Sequence, residues 1–374
     1  MIKNILEFFR VISELRYIIP LLKYKWPNPD DNASLAHTFQ DSVDKYGNQN
    51  FIYFEDQILT YSQTNEAANI LANRLIKDGV THSDRVVLFM ENRPEYIISI
   101  LALNKIGAIG VLINTSLTGA PLVHCINSSD SKKCIIGAEL AAPLEGVLNE
   151  INVTDKSNIY WVKDGENYSC PSWASDLDTL LDESEKQTPK EIGNVTAKDT
   201  AFYIFTSGTT GVPKAALFPN TKIVAASTNI TKAGYRMNNE DCLYNCLPLY
   251  HSTGLMLGLC ACIHVGASTF IRRKFSASAF WKEAQIFNTT AFVYVGELTE
   301  IFQLIRSRNK KTGHLVFSTE HTELDGYHIL KTGRYSHSKS YIESLCKKFG
   351  YKISHFSTND LRKEKGDFLA GGIY

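Results

Sequence analysis

The sequence predicts an α/β protein built from layered, mostly parallel β-sheets, and three observations carry this prediction. The chain has 374 residues, which exceeds the usual size of one domain and leaves ample core to bury. Apolar runs of strand length alternate with segments of helical period in the N-terminal part. Parallel strands joined by helices follow from such an order, and the resulting sheet is doubly wound.

The first helix and strand of this pattern are well marked. The segment LTYSQTNEAANILANRLIKDGV opens with Ser, Thr and Asn cap candidates and ends at Gly79. Its apolar positions recur at helical spacing, at Ala67, Leu71 and Leu75. The next run, RVVLFM, is predicted to be a strand.

A second unit of the same kind follows in ENRPEYIISILALNKIGAIGVLIN. It predicts a helix from about Pro94 to Lys105, a glycine break, and a strand from Ile109 to Ile113. Between Glu150 and Val195 the chain becomes polar and contains prolines. We expect that stretch to be a connection rather than a core element.

Composition narrows the class of function. Lys plus Arg and Asp plus Glu each number 39, so no global field favours nucleic acid, although local anion sites remain open. The eight cysteines lack the regular spacing of a secreted disulfide framework, which indicates a reducing cytosol. Two sets of residues resemble zinc ligands: Cys242 with Cys246, and Cys260 and Cys262 with His264. Because no second CxxC pair accompanies them, no metal site is predicted from the residues.

The N-terminal segment, MIKNILEFFRVISELRYIIPLLKYKWP, is apolar and aromatic but carries charges through its length. The charges interrupt the ~20 apolar residues that a membrane-spanning helix needs. Apolar residues recur at helical spacing at Ile5, Phe8, Phe9, Ile12 and Leu15. Two interpretations stay open for residues 1–30: a helix in a membrane interface, or a helix packed on the protein body.

The stretch YIFTSGTTGVPKAALFP, Tyr203 to Pro219, places a Gly/Ser/Thr turn between two strand-like runs. Such a turn offers closely spaced N–H and O–H donors with little bulk, as phosphate oxygens require. The interval from Gly208 to Lys214 has the length of a Walker A motif. That motif fails here, because Pro213 replaces its second glycine and Ala215 its magnesium-binding Ser or Thr. The residues alone leave a phosphate cradle of another kind or an unusual hairpin.

A resemblance to a known family favours a phosphate-binding loop at residues 206–214. TSGTTGVPK is similar to the phosphate-loop motif of the adenylate-forming acyl-CoA synthetase and luciferase superfamily. The segment LPLYHSTGLMLGLCACIHVGASTFIRRKFSASAFWKEAQIFNTTAFVYVGEL resembles its fatty-acid transport protein and very-long-chain acyl-CoA synthetase branch. MENRPEYIISILALNKIGAIGVLIN is similar to the N-terminal sheet of the same family, so the likeness covers about residues 30 to 298.

The resemblance implies a truncated N-terminal domain of the adenylate-forming fold at residues 31–295, and a two-step chemistry. A fatty carboxylate attacks the α-phosphate of ATP with Mg²⁺ assistance, and the thiol of CoA then displaces AMP. The implied phosphate-binding residues are Thr206, Ser207, Gly208, Thr209, Thr210, Gly211 and Lys214. Tyr250 and His251 correspond to the segment beside the acyl-adenylate, and His251 and Lys214 are the catalytic candidates. A packed core histidine is the alternative for His251.

An apolar run and a basic run complete the pattern of residues around this segment. The apolar run LMLGLCACIHVG is expected to be plain core or part of an acyl-chain wall. Arg272, Arg273 and Lys274 are expected to form a solvated basic edge. The implied substrates are fatty acid, ATP and CoA, with no nucleic acid, in the cytoplasm or on the cytoplasmic face of a membrane.

The tail departs from the family pattern. After Leu298 the family's magnesium and adenine Thr-Glu motif, its ribose-binding Gly-Asp and its adenylation Lys are not found. The pair Thr299 and Glu300 lacks the preceding aromatic-Gly context and comes too early to be that motif. Residues 296–374 instead resemble the end of a class I S-adenosylmethionine-dependent methyltransferase, most clearly at GRYSHS, with a partial α/β fold. They predict a strand in GHLVFSTE, a Ser-capped helix ending at a glycine, and a terminal hairpin in LRKEKGDFLAGGIY. No Gly-rich cofactor loop accompanies them.

These features leave three hypotheses for the function. The first is an AMP-forming long-chain or very-long-chain fatty-acid CoA ligase with a role in fatty-acid uptake, impaired by the missing motifs. The second is an inactive nucleotide- and lipid-binding remnant, and the third is a methyltransferase. The absent glycine loop makes the third the weakest.

Overall fold

The computed structural model describes residue 19 and residues 24–153, 155–206, 213–293, 302, 305–306, 317–329, 335–353, 356–364 and 367–373. The predicted N-terminal helix therefore falls almost entirely outside the described residues. The chain divides into two compact units, Met1–Tyr294 and Val295–Tyr374. No helix in the described part of the chain combines the length and apolar character needed to cross a membrane.

The first unit contains two β-sheets. Its strands are β1 (Asn50–Phe54), β2 (Gln57–Thr60), β3 (Arg85–Phe89), β4 (Ile109–Leu112), β5 (Lys133–Gly137), β6 (Ile159–Val162), β7 (Ser175–Asp176), β8 (Thr200–Thr206), β9 (Lys214–Pro219), β10 (Cys242–Asn245), β11 (Ser268–Ile271) and β12 (Ala291–Val293).

The helices of this unit connect and cover the strands. They are α1 (Leu35–Tyr46), α2 (Tyr61–Lys77), α3 (Pro94–Lys105), α4 (Gly119–Ser128), α5 (Ala141–Glu145), α6 (Asn220–Asn229), α7 (Cys260–Val265) and α8 (Ala277–Ile286). Short 3₁₀ turns occupy Ala138–Leu140, Lys156–Asn158 and Lys190–Asn194. Two π-helical turns lie at Ile230–Tyr235 and Thr253–Leu259.

The larger sheet has seven strands in the order β7-β6-β5-β3-β4-β8-β9. All neighbours are parallel except the edge pair β8 and β9, which is antiparallel. The second sheet has five strands in the order β12-β10-β11-β1-β2, and only β2 is antiparallel. The predicted layered α/β architecture is confirmed.

Strand β3 shows why its sequence is a continuous apolar run. Val86 and Leu88 belong to one hydrophobic core, while Val87 and Phe89 belong to another on the opposite face. Successive side chains of a strand point to opposite faces, so a strand covered on both sides has no polar alternation. The first of these cores also contains Ile52 and Phe54 of β1 and apolar residues of α2 and α3.

Local signals placed the helices correctly. Helix α2 begins with a capping box between Thr60 and Gln63, and the chain leaves it through Gly79 at φ +80°. Helix α3 begins at the proline and ends at the lysine that the sequence indicated. The predicted strand Ile109–Ile113 is β4, which ends one residue earlier.

The interpretation of residues 150–195 as a mere connection is wrong in one place. Strand β6, with the sequence IYWV, is completely buried and pairs with β5. Tyr160 and Trp161 are 1% and 2% exposed. The polar flanks of this short run obscured a core strand, because four residues are too few to show a period.

The second unit has its own five-stranded sheet, in the order β14-β15-β13-β17-β16. Its elements are β13 (Ser318–His321), β14 (Tyr327–Ile329), β15 (Tyr335–His337), α9 (Lys339–Lys348), β16 (Ser357–Glu364) and β17 (Asp367–Ile373). Ser338 caps α9, and Gly350 at φ +71° follows it. The predicted strand, capped helix and terminal hairpin are confirmed as elements.

Candidate functional site

The strand order of the larger sheet indicates where a ligand-binding crevice is expected. Strand β3 lies between β5 and β4, so the chain leaves the carboxyl ends of β3 and β4 toward opposite sides of the sheet order. Such a switch point at the carboxyl ends of parallel strands is where open α/β sheets bind ligands. The loops involved are Glu91–Arg93 after β3 and Asn114–Ser116 after β4.

The LPLYH turn, Leu247 to His251, is held at this point by Asn92. The Asn92 Nδ2 atom donates to the carbonyl oxygens of Leu247 at 2.9 Å and Arg272 at 3.1 Å. Its Oδ1 atom accepts from the backbone N–H of Leu249 at 2.8 Å. Asn92 is only 4% exposed, so these bonds form in a dry environment.

Close packing fixes the far side of the same turn. A Cβ atom at Gly254 would lie 2.4 Å from the carbonyl oxygen of Pro248. Only glycine fits such an approach between two backbone segments. The Asn245 Nδ2 atom also donates to the Gly254 carbonyl at 2.9 Å.

Tyr250 lies near Thr115 on the loop after β4. Burial raises the pKa of Tyr250, and the side chain of Thr115 opposes the rise. Tyr96 on α3 is fully buried, and burial raises its pKa well above the ordinary value. Among the described residues the Tyr96 hydroxyl has no hydrogen-bond partner.

His251 is exposed rather than a packed core histidine, so the alternative interpretation is wrong. Its backbone N–H donates to Pro248 at 3.1 Å, and its carbonyl accepts from Leu255 at 3.0 Å. Its Nδ1 atom lies 3.5 Å from the backbone nitrogen of Thr253. The ring is therefore presented at the surface by a fixed backbone, as an acid or base requires.

The Gly/Ser/Thr turn opens where β8 and β9 separate. Thr206 and Lys214 are the last cross-strand pair, and both are exposed. The Thr206 hydroxyl lies 3.5 Å from the Lys214 carbonyl. Ser207, Gly208, Thr209, Thr210 and Gly211 lie outside the described residues, so their part in phosphate binding stays a prediction.

His124 of α4 supports the base of this turn. Its Nε2 atom lies 3.0 Å from the carbonyl oxygen of Pro213, the residue before Lys214. The contact ties the start of β9 to the helix that follows β4. Sequence reasoning missed His124, which carries no motif of its own.

Charged side chains link the carboxyl edges of the two sheets in an edge ion cluster. Arg93 Nη1 lies 3.1 Å from Asp164 Oδ1, and Arg273 makes two bonds of 2.7 Å to the same carboxylate. Lys274 pairs with Glu91 at 3.0 Å. The cluster consists of Glu91, Arg93, Glu139, Asp164, Arg273 and Lys274.

This cluster corrects the expectation of a solvated basic edge for Arg272 and Arg273, whose side chains are 29% and 25% exposed, whereas Lys274 is 81% exposed as expected. Each of the three side chains pairs with a carboxylate, respectively Glu283, Asp164 and Glu91. Burial alone would raise the pKa of Asp164, but hydrogen bonds from Arg273 and the charge of Arg93 hold it below its usual range. Glu91 and Asp164 lie in the loops after β3 and β6, and Glu283 lies on α8, so sequence spacing does not reveal these pairs.

Sequence reasoning also missed Asn92, Arg93 and Thr115. A usable signal was present, because ENRPE places polar residues between a buried strand and a proline-started helix. Polar side chains at the carboxyl end of a parallel strand are well placed for a ligand site.

The apolar run LMLGLCACIHVG belongs to the main hydrophobic core. Leu255, Leu259, Cys262 and Ile263 are completely buried there. All eight cysteines are free thiols. In the described part of the chain, no group of three or more His, Cys, Asp or Glu side chains is placed to hold a metal ion, so no residue is assigned to magnesium.

These groups comprise an exposed imidazole and a tyrosine in the LPLYH turn, and an exposed lysine at the end of the β8–β9 pair. Lys214 supplies positive charge. An arrangement of this kind can bind an anionic phosphate chain and position a second reactant beside it.

Two curated relatives are similar to this chain over most of its length. The medium/long-chain-fatty-acid–CoA ligase FadD6 of Mycobacterium tuberculosis is 36% identical over 271 residues, covering 72% of this chain and 43% of that protein. Long-chain fatty acid transport protein 6 of Mus musculus is 30% identical, covering 78% of this chain and 46% of that protein. The chain thus spans less than half the length of these relatives.

Solved structures show the same fold. The long-chain-fatty-acid-CoA ligase FadD1 of Archaeoglobus fulgidus superposes with a TM-score of 0.64 at 19% identity, covering 87% of this chain and 64% of that one. A family model described as AMP-binding enzyme matches residues 39–355. The chain therefore belongs to the AMP-binding enzyme family.

Proposed function

We propose that the chain carries the nucleotide-binding part of an AMP-forming long-chain fatty-acid CoA ligase, with a role in fatty-acid uptake. The single observation that carries this proposal is the β8–β9 pair, which ends at Thr206 and Lys214 beside the switch point of the sheet. The ligase and transport relatives support the choice of a fatty carboxylate as the second reactant. ATP, Mg²⁺ and CoA are the implied cosubstrates.

The proposed roles follow from charge and position. Lys214 offsets negative charge on the phosphates, and the donors of residues 206–211 bind their oxygens. Tyr250 and His251 lie beside the reacting carboxylate and its adenylate, where His251 orients the anion or moves a proton. Neutralisation and positioning account for most of phosphoryl-type catalysis, so these residues need not form a covalent bond.

Titration of MgATP into the purified chain by calorimetry tests the proposal. K214A removes one charge-assisted contact and should weaken ATP binding about tenfold. K222A is the matched control, since Lys222 is exposed on the helix that follows β9. Equal affinities for the unmodified chain and K214A, or no ATP binding by the unmodified chain, would contradict it.

The second candidate is an inactive nucleotide- and lipid-binding remnant, favoured by the motifs that residues 299–374 lack. Fatty-acid-dependent exchange of labelled pyrophosphate into ATP separates the two, because only a ligase catalyses it. The methyltransferase-like interpretation of residues 296–374 remains a proposal. The AMP-binding family match extends to residue 355 and competes with it.

We also propose a cytoplasmic protein that contacts a membrane surface through its N-terminus. Ile5, Phe8, Phe9, Ile12 and Leu15 would form the apolar face of an interfacial helix. Deletion of residues 1–25 should abolish sedimentation with liposomes of phosphatidylcholine and phosphatidylserine. Unchanged sedimentation of the shortened chain would remove the membrane from this account.

A further inference from the structure

We propose that Asn92 is a positioning residue that sets the acyl-adenylate end of the site by fixing the backbone before Tyr250 and His251. The inference rests on the proposed function for its ligand, but its structural part stands on contacts within the first unit. Neither the family match nor the relatives assign a role to this side chain.

The hydrogen-bonding groups of Asn92 match its surroundings atom for atom. Its amide NH₂ has two donors, which meet the carbonyls of Leu247 and Arg272, and its oxygen meets the N–H of Leu249. An asparagine is the shortest side chain that offers two donors and an acceptor on one planar group. The turn before Tyr250 therefore depends on a carboxamide at this position.

Neighbouring contacts hold Asn92 itself in place. Glu91 pairs with Lys274 at 3.0 Å, and Arg93 shares Asp164 with Arg273. Arg93 also donates to the carbonyl of Lys163 at 2.8 Å. The loop Glu91–Arg93 is thus bound on both sides of Asn92 to the segment Arg272–Lys274 at the edge of the second sheet.

These contacts lie in the loops that follow β3 and β4. Asn92 bonds to Leu249, the residue directly before Tyr250, and Tyr250 lies near Thr115 on the loop after β4. A displaced Leu249 would therefore move Tyr250 and His251 without touching the β8–β9 turn. Misplacement by about 1 Å at a reacting site can cost on the order of 100-fold in rate.

The isosteric variant N92D tests this directly. It keeps the shape and the acceptor oxygen, but it replaces the NH₂ group that donates to two backbone carbonyls by an oxygen, which cannot donate. N92A is the second variant, because the space it leaves can admit a water to bond the two carbonyls. N73D is the matched control. The Asn73 Nδ2 atom also donates to two backbone carbonyls, those of Glu185 at 3.0 Å and Gln187 at 2.9 Å, away from the crevice.

Two readouts are needed. The first is binding of MgATP and of hexadecanoyl sulfamoyl-adenosine, a stable analogue of an acyl-adenylate. The second is amide hydrogen exchange over residues 247–252. We expect N92D and N92A to weaken the analogue about tenfold while changing MgATP affinity much less, and to speed exchange in that segment. N73D should do neither.

Equal weakening of both probes by N92D and N92A would overturn the proposal by showing a general structural role. Unchanged exchange over residues 247–252 would overturn it by showing that Asn92 does not fix the turn. If the unmodified chain binds neither probe, the proposed function fails. The exchange measurement still decides whether Asn92 positions the turn in that case.

Discussion

R93A is expected to lower the free energy of unfolding by about 3–5 kcal/mol, because it removes one partner of a buried ion cluster. The Arg93 side chain is 2% exposed and lies 3.1 Å from Asp164 and 3.8 Å from Glu139. Burial already raises the pKa of Glu139, and the Arg93 charge opposes that rise. Without Arg93, Glu139 loses its only ion-pair partner among the described residues, and Asp164 keeps only Arg273.

Denaturant unfolding followed by circular dichroism measures this loss. K186A is the control, because Lys186 and Glu66 form an ion pair in which both side chains are about half exposed. Exposed pairs contribute little to stability, so K186A should leave the unfolding midpoint nearly unchanged. A midpoint for R93A equal to that of K186A would show that the edge ion cluster does not stabilise the two-sheet arrangement.

The second large effect concerns turnover. The purified 374-residue chain should form fatty acyl-CoA at least ~100-fold more slowly than a full-length relative, since loss of one transition-state donor alone typically has that effect. The groups that the family resemblance assigns to ribose, magnesium and the adenylation step are not found after Leu298. K214A and T209A should then weaken nucleotide binding without altering an already negligible rate.

Acyl-CoA formation from labelled palmitate, ATP and CoA measures the rate. Robust product formation by this chain, abolished by K214A or T209A, would show that the chemistry needs fewer residues than assigned here. Product that survives both substitutions would point to a contaminating ligase.

Local signals accounted for most of the first unit because each depends on neighbouring residues. The capping box of α2, the proline at the start of α3 and the glycine after α2 all act within a few positions. Strand β6 was not predicted from the sequence. Its burial depends on its neighbours β5 and β7, and its own four residues do not identify them.

The candidate site was predictable only where a motif is contiguous. Thr206, Lys214, Tyr250 and His251 stand in recognisable segments, and the structure brings Tyr250 to the switch point. Asn92 bonds to Leu247, which is 155 positions away in the chain, and Arg273 bonds to Asp164 across 109 positions. Such pairings follow from the strand order, so only the folded chain reveals them.

The most direct test of the central claim is a ³¹P NMR titration of ATP with the unmodified chain, K214A and K222A. The claim is that residues 206–214 bind the phosphates of ATP. The phosphorus resonances should shift and broaden with the unmodified chain and with K222A, and much less with K214A. Equal phosphorus changes with K214A, or changes confined to the adenine protons, would contradict the claim.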